Sequence, residues 1–353
     1  MKKVLLVAVL SCLFAALSLP GCKPDPAVEI KLPDTSGNIS FSIPQGWPQP
    51  FYTFANNTLT QSGFELGRKL FYDTRLSRDN TISCASCHQQ FSAFAHLDHP
   101  VSHGINNLLG RRNTPALFNI AWETTFFWDG GVNNIENQPI NPIQNPVEMD
   151  LTIAEVVAKL SGDATYRAMF NKVFGSDTVN SQRIFKALAQ FMASMVSANS
   201  KYDKYVRGEN GGTFTAQELN GLSLFREKCA TCHKEPLFTD YSFRNNGLSI
   251  DPTYNDTGRI HITNDPADRC KFKVPSLRNI ALTGPYMHDG RFTTLDAAVE
   301  HYRTGIYQWP NVDTLVKNGI AMSDQDKADI ISFLKTLSDD AFTHDPRFSQ
   351  PAQ

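Results

Sequence analysis

Two copies of one five-residue motif constrain this chain more than any other feature of its sequence. Each copy reads Cys-x-x-Cys-His, at residues 84–88 and 229–233. Two thiols one helical turn apart can reach both vinyl groups of one haem, and the histidine that follows can bind the iron. A zinc site would need four ligands drawn from both motifs, and a redox cysteine pair would not explain the histidines. The motifs therefore predict two covalently bound haem c groups. The residues assigned to them are Cys84, Cys87 and His88 for the first haem and Cys229, Cys232 and His233 for the second.

The composition excludes two classes of protein. Of the 353 residues, 41% are hydrophobic, which is enough for one or two packed cores and rules out wholesale disorder. The 33 lysines and arginines nearly balance the 35 aspartates and glutamates. Because the basic residues form no stripe, the chain lacks the electrostatic footprint of a nucleic-acid-binding protein. Nucleic acid is therefore not expected among its partners.

The amino terminus predicts export from the cytoplasm. Lys2 and Lys3 precede an apolar run over residues 4–19, and no stop-transfer charges follow it. The run ends in Leu-Pro-Gly-Cys, which resembles a bacterial lipobox whose cysteine, here Cys22, carries the lipid. Pro20 is unusual in a lipobox, so a plain cleaved signal stays open as the alternative. We expect a periplasmic protein with a lipid anchor to a membrane.

The two halves of the chain repeat one another. The pattern Gly-x-x-Leu-Phe precedes each haem motif, at residues 67–71 and 221–225. Each half closes with an amphipathic helix, predicted from apolar stripes over residues 184–195 and 330–337. This pattern predicts a mostly α-helical protein with two c-type cytochrome domains in tandem, separated near a Gly-rich stretch. The predicted order is a leader over 1–22, a tether over 23–50, an amino-terminal haem domain over 51–207 and a carboxy-terminal haem domain over 208–353.

Five segments give the chain a specific resemblance. They are residues 66–88, 110–119, 126–131 (Phe-Phe-Trp-Asp-Gly-Gly), 145–149 (Asn-Pro-Val-Glu-Met) and 272–302. In these segments the chain resembles the bacterial di-haem cytochrome c peroxidase superfamily. That superfamily also includes the di-haem enzyme that matures tryptophan tryptophylquinone in methylamine dehydrogenase. The resemblance extends from Gly63 to Leu337.

The resemblance implies roles for three residues near the haems. In that family the amino-terminal haem meets peroxide, and the carboxy-terminal haem stores and relays an electron. Glu148 matches the distal acid/base, and Gln138 matches a distal amide that orients peroxide or water. Trp128 matches an indole that relays electrons between the haems. Without the resemblance, the alternatives are a surface glutamate, a loop glutamine and a core tryptophan.

The resemblance also implies one calcium ion between the two domains. Asn113 would bind it through its side-chain amide, and Thr283 and Pro285 through their backbone carbonyls. Oxygen ligands of this kind suit calcium. The alternative is that Asn113 caps a turn and that residues 283–285 form only a tight loop.

The distal ligand of the second haem departs from the peroxidases proper. They place a methionine fourteen residues after the histidine of a His-Asp-Gly motif, and here that position, counted from His288, is Tyr302. A tyrosine ligand resembles the tryptophylquinone-maturing enzyme. Helical periodicity turns Tyr302 inward and His301 towards solvent. Met287 or Met322 as the ligand, with Tyr302 a core residue, stays open.

The first haem is closed in many of these peroxidases by a distal histidine on the loop after the motif. Here His103 follows His88 by fifteen residues, although its local sequence departs from the family pattern. The alternative to ligation by His103 is an open haem that needs no reductive activation. His96 and His99 are expected to face solvent.

The predicted function is a periplasmic di-haem peroxidase that reduces hydrogen peroxide to water with electrons from a small redox protein. A c-type cytochrome or a cupredoxin is the expected donor, and a homodimer is a further expectation. The first alternative is oxidation of a partner protein through high-valent haem, which Tyr302 favours. Glu227 disfavours it, because the maturing enzyme has a tryptophan there. The second alternative is a non-catalytic electron-transfer cytochrome, which Glu148 and Gln138 disfavour.

Overall fold

The computed structural model describes residues 39–97 and 99–352. The predicted leader, Cys22 and residues 23–38 of the predicted tether lie outside these ranges. Helices dominate the described part, and the only sheet in it pairs two short antiparallel strands, β1 (Phe243–Arg244) and β2 (Phe272–Lys273). None of the helices in the described ranges combines the length and the apolar character needed to cross a membrane.

The helices follow one another along the chain, and long stretches of mostly irregular backbone separate some of them, at residues 88–139, 229–259 and 264–294. In chain order they are α1 (Gln61–Phe71), α2 (Cys84–Cys87), α3 (Ile140–Gln144), α4 (Ile153–Ser161), α5 (Ala164–Phe174), α6 (Ser181–Ala193), α7 (Lys201–Arg207), α8 (Ala216–Lys228), α9 (Ile260–Thr263), α10 (Leu295–Thr304), α11 (Asp324–Lys335) and α12 (Asp340–Thr343). Single 3₁₀ turns lie at Thr74–Leu76, Gln90–Ser92, Ile105–Asn107, Ile120–Trp122, Pro266–Asp268 and Ile280–Leu282. Hydroxyl side chains begin several of the longer helices; at α11, for example, Ser323 and Asp326 form a capping box.

The same helix crossing occurs in both halves. Helix α1 packs on α6, and α8 packs on α11. At the first crossing, a Cβ atom on Gly67 would overlap the carbonyl oxygen of Ala187; at the second, one on Gly221 would overlap that of Asp329. The glycine of the repeated Gly-x-x-Leu-Phe pattern is therefore the residue that allows the two backbones to approach.

Replacing either crossing glycine should destabilise the protein. We expect Gly67→Ala and Gly221→Ala each to lower the free energy of unfolding by about 1–3 kcal/mol, because the added methyl group forces packed backbones apart. Denaturant unfolding of the holoprotein measures this difference. Gly162→Ala is the matched control, because the nearest atoms to its added Cβ lie at 3.5 Å. Equal stability of all three variants would contradict the argument.

Two aromatic cores lie beneath these crossings. In the first, the rings of Phe71 and Phe191 lie 5.2 Å apart, and in the second those of Phe225 and Phe333 lie 5.1 Å apart. The chain then returns to the first core, where the ring of Phe348 lies 6.2 Å from that of Phe191. The last residues of the predicted carboxy-terminal domain therefore contribute to the amino-terminal core.

Candidate active site

Each haem motif borders its own cavity. The first cavity has a volume of about 580 Å³ and is lined by Cys84, Cys87 and His88 among others. The second has a volume of about 560 Å³, and its lining includes Cys229, Cys232 and His233. Two cavities of nearly equal size, each with two thiols and one imidazole, fit one covalent haem each.

The two motif histidines are held in the same way. The Nδ1 atom of His88 lies 2.9 Å from the carbonyl oxygen of Phe94, and that of His233 lies 3.1 Å from the carbonyl oxygen of Phe238. A histidine that donates from Nδ1 to a backbone carbonyl offers Nε2 to a metal. Burial lowers the pKa of His88 to about 4 and also lowers the pKa of His233. Both imidazoles are therefore neutral, the form that binds iron.

Both carbonyl partners need an uncommon backbone conformation. Phe94 has a φ of 60° and Phe238 a φ of 56°, values in the left-handed region that non-glycine residues seldom adopt. Such strain persists only where the surrounding structure compels it, and it is found mostly at functional sites. The turn after each motif therefore aims a carbonyl oxygen at the histidine.

Glu148 brings a carboxyl group to the first cavity. It is half-buried, and its Oε1 accepts a hydrogen bond of 2.9 Å from the Nδ2 of Asn145. The carbonyl oxygen of Asn145 accepts from the backbone N–H of Glu148, and its Oδ1 accepts from that of Val147, so the asparagine shapes the turn after α3. Burial raises the pKa of Glu148 above its ordinary value. A carboxyl group with a raised pKa is better suited to take a proton and return it near neutral pH.

Gln138 and Trp128 border both cavities. Gln138 is buried, and its side chain belongs to the lining of each. The indole of Trp128 also lines both, and its Nε1 donates a hydrogen bond of 2.9 Å to the carbonyl oxygen of Asn113. The structure thus brings together the three residues that the resemblance singled out, with Glu148 on the side of the first cavity.

The second cavity contains all three candidates for the distal ligand. Tyr302, Met287 and Met322 belong to its lining. The Nδ2 atom of Asn246 lies 3.4 Å from the Oη of Tyr302 and 3.5 Å from the Sδ of Met287. Burial raises the pKa of Tyr302. Asn246 therefore contacts two of the competing ligands at once, a position that no motif in the sequence indicated.

The inward direction predicted for Tyr302 on α10 holds, but the outward one predicted for His301 is wrong. His301 is buried, and its Nε2 lies 3.0 Å from the carbonyl oxygen of Asn246. Helical periodicity predicted a single buried face on α10, the face that includes Tyr302. A segment about 55 residues earlier in the chain covers a second face, and helical periodicity contains no information about it.

The loop that carries His103 turns that ring away from the first cavity. Ser102 and Gly104 appear in the cavity lining, whereas His103, among the described residues, does not. Its ring lies 5.2 Å from that of His96 and 4.5 Å from that of His99. The solvent exposure expected for His96 is wrong, because this residue is buried; His99 is exposed as expected. Ligation of the first iron by His103 stays a prediction.

The three residues of the predicted calcium site border the second cavity. Asn113, Thr283 and Pro285 all belong to its lining. Asn113 is buried, and its Nδ2 donates a hydrogen bond of 3.1 Å to the carbonyl oxygen of Pro100. The side-chain oxygen of Asn113 is the atom that a calcium ion would bind. The calcium site itself stays a prediction.

A stacked pair in the second cavity was missed at the level of sequence. The ring of Phe272 lies over that of His288 with 3.7 Å between centroids and 13° between planes. Both side chains line the cavity, and burial lowers the pKa of His288 to about 4. The His-Asp-Gly motif is the one sequence signal at this position, and it does not indicate the stacking partner.

Comparison with known families divides the chain as its motifs do. Residues 61–211 match the family model described as di-haem cytochrome c peroxidase, and residues 219–338 match the cytochrome c model. These matches confirm the predicted tandem of cytochrome-type domains and, with it, the two haem c groups.

Individual relatives fall into two kinds. The chain is 36% identical over 303 residues to the methylamine utilization protein MauG of Methylorubrum extorquens, covering 84% of this chain and 83% of the relative. It is 38% identical over 284 residues to the cytochrome c551 peroxidase of Nitrosomonas europaea, covering 78% and 80%. Among solved structures, a MauG-like protein associated with microbial copper homeostasis superposes with a TM-score of 0.81 at 34% identity, covering 89% of this chain and 99% of that one.

Proposed function

Because the chain belongs to the di-haem cytochrome c peroxidase family, we propose that it reduces hydrogen peroxide to water with electrons from a small redox protein. A c-type cytochrome or a cupredoxin would be the donor. We place the reaction in the periplasm, with the protein anchored through a lipid on Cys22. The observation that carries the proposal is Glu148, whose half-buried carboxyl group with a raised pKa faces the first haem cavity. A cytochrome that only relays electrons has no use for such an acid.

A haem held in the first cavity by Cys84, Cys87 and His88 would supply an iron atom that binds peroxide and accepts its oxidising equivalents. The residues around it handle the protons. Glu148 would take a proton from one oxygen of the peroxide and return it to the other, which leaves as water. Asn145 holds the carboxyl group through the hydrogen bond to Oε1, and Gln138 supplies an amide to orient peroxide. Overall, one peroxide, two protons and two electrons give two molecules of water.

Electrons would enter through the second cavity and cross by way of Trp128. The lining of both cavities includes its indole, and the hydrogen bond from Nε1 to the carbonyl oxygen of Asn113 fixes the plane of the ring. A rigid aromatic ring between two redox centres shortens the distance that each electron transfer must cover. No other described side chain with an indole ring lines both cavities.

A second candidate function is the oxidation of side chains on a partner protein. Tyr302 faces the second cavity, and relatives of the MauG kind are as similar to the chain as the peroxidases. Glu227 argues against it, because this residue is exposed and forms an ion pair of 2.9 Å with Lys228. A carboxylate at that position cannot act as a stepping stone for electron holes, as a surface tryptophan can.

A steady-state assay separates the two functions. With reduced c-type cytochrome or reduced cupredoxin as donor, we expect the holoprotein to oxidise two donor molecules for each peroxide consumed. A turnover number in the range common for enzymes, about 1–10³ s⁻¹, is expected. If peroxide oxidises the haems but neither donor sustains turnover, the peroxidase proposal fails. Oxidation of a partner protein's side chains under those conditions would favour the second function.

A further inference from the structure

Three histidines that the proposed reaction does not use lie together beside the first haem cavity. The rings of His96 and His99 stack with 4.7 Å between centroids, and that of His103 lies 5.2 Å and 4.5 Å from them. One ring nitrogen from each of the three lies within 4.8 Å of the other two. We propose that this three-histidine cluster binds one divalent transition-metal ion of the Zn²⁺ or Cu²⁺ class. The inference is independent of the proposed peroxidase function.

The donor set selects the class of metal. Neutral imidazole nitrogen suits Zn²⁺, Cu²⁺ and Ni²⁺, whereas Ca²⁺ and Mg²⁺ require oxygen ligands. With zinc–nitrogen bonds of about 2.0–2.1 Å, tetrahedral geometry separates neighbouring ligand nitrogens by about 3.3 Å. The present separations of up to 4.8 Å are wider than that value, so the rings must move closer together when the ion binds. Three histidines with water in the fourth position complete a coordination sphere that proteins commonly use.

Two histidines of the cluster, His99 and His103, each leave a ring nitrogen for a ligand. The Nε2 of His103 is buried and has no hydrogen-bond partner anywhere in the described part of the chain. Burying such an atom without a partner is unfavourable, and a bond to a metal ion would offset that cost. The Nδ1 of His99 lies 3.2 Å from the carbonyl oxygen of Leu97. A backbone carbonyl is a usual partner for the second nitrogen of a metal-bound histidine, and it leaves Nε2 for the ion.

The backbone holds the loop that carries the cluster at several points. Ser102 donates to the carbonyl oxygen of Arg112 at 3.1 Å and accepts at its own carbonyl from Gly110 at 2.7 Å. The Nδ2 of Asn113 fixes the carbonyl oxygen of Pro100 at 3.1 Å. The backbone that carries the ligands is therefore held in place before any ion arrives, which limits the ordering free energy lost on binding to that of the side chains.

The test is a calorimetric titration of untagged, chelator-treated holoprotein with ZnCl₂. We expect one Zn²⁺ per chain, and Cu²⁺ should compete and bind more tightly, as the general order of affinities requires. His99→Ala should weaken Zn²⁺ binding by about 100-fold or more, since even the loss of an outer partner of a ligand costs about 10–100-fold. His344→Ala, which removes an exposed histidine from a distant part of the chain, is the matched control and should bind as wild type does. No saturable binding, or equal affinity of the two variants, overturns the proposal.

Haem spectroscopy supplies the second readout. The proposal makes His103 a ligand of the added metal ion and not of a haem iron. Zn²⁺ should therefore leave the spin state of both ferric haems unchanged. His99→Ala should also retain the wild-type haem spectra, which shows that the variant has folded. If Zn²⁺ instead converts a low-spin ferric signal into a high-spin one, His103 is a haem ligand that zinc displaces. The independent three-histidine site would then be wrong.

Discussion

Glu148→Gln is expected to slow the reaction with hydrogen peroxide by about two to four orders of magnitude, the contribution typical of a general acid/base group. The amide keeps the size and much of the hydrogen bonding of the carboxyl group, but it cannot take a proton from peroxide. Both haem spectra should be unchanged, because neither haem is attached through this residue. Stopped-flow mixing of the ferric protein with peroxide measures the rate directly.

The pH dependence of the same rate gives an independent check. Glu148 must be ionised to accept a proton, so the rate should fall when the pH drops through the pKa of this residue. Burial raises that pKa, and the fall should therefore begin at a higher pH than the ordinary glutamate value of about 4.3 would give. In Glu148→Gln this acidic limb should vanish. Glu209→Gln, an exposed control, should retain both the rate and the limb. If Glu148→Gln reacts as fast as wild type, the carboxyl group is structural.

The haem-bearing part of the fold could be predicted from sequence because its determinants are local. Thiols and imidazole belong to one turn, and the covalent chemistry fixes their spacing whatever surrounds them. The crossing at Gly67 and Gly221 could also be recognised as a repeat, although its cause, the approach of Ala187 and Asp329, became visible only in three dimensions. The repeated haem motif and Gly-x-x-Leu-Phe pattern were therefore enough to predict two similar domains, but not the contacts within them.

The wrong predictions concern residues whose surroundings are set by distant parts of the chain. His301 and His96 were both assigned to solvent, and both are buried. Burial depends on which remote segment covers a residue, and no periodicity within one helix or loop contains that information. The contact between Asn246 and Tyr302 could not be predicted for the same reason, since the two residues are 56 positions apart in the chain and only folding brings them together. Where partners are distant in sequence, only the structure could identify them.

An Arg-Asn pair follows each haem motif, at residues 112–113 and 278–279, and the two arginines have different partners. Arg278 is fully buried and forms a bidentate ion pair with Asp203, with bonds of 2.8 and 2.9 Å. Arg112 is half-buried and pairs instead with Asp129 and Asp256. Arg278 therefore forms an ion pair inside the core, whereas Arg112 links two segments that lie 144 residues apart in the chain.

Tyr302→Met is expected to raise the reduction potential of the second haem by on the order of 0.1–0.4 V, part of the range of about 0.8 V that axial ligands span. A phenolate bound to iron adds negative charge and stabilises the ferric state, whereas a thioether favours the ferrous state. The variant should also acquire the thioether-to-iron charge-transfer band of a His/Met haem. Spectroelectrochemical titration measures both quantities on one sample.

Tyr302→Phe separates ligation from packing. If Tyr302 is the ligand, the phenyl ring leaves the iron open or water-bound, and the ferric spectrum changes from low spin to high spin. If Tyr302 is only a core residue, Tyr302→Phe should retain the wild-type spectrum, and the thioether band should already be present in wild type, with Met287 or Met322 as the ligand.

The identity of this ligand also bears on the function of the protein. A haem with a high potential is a ready store for a donated electron and favours the peroxidase. A haem with a low potential, held by tyrosinate, can share high-valent charge and favours oxidation of a partner protein.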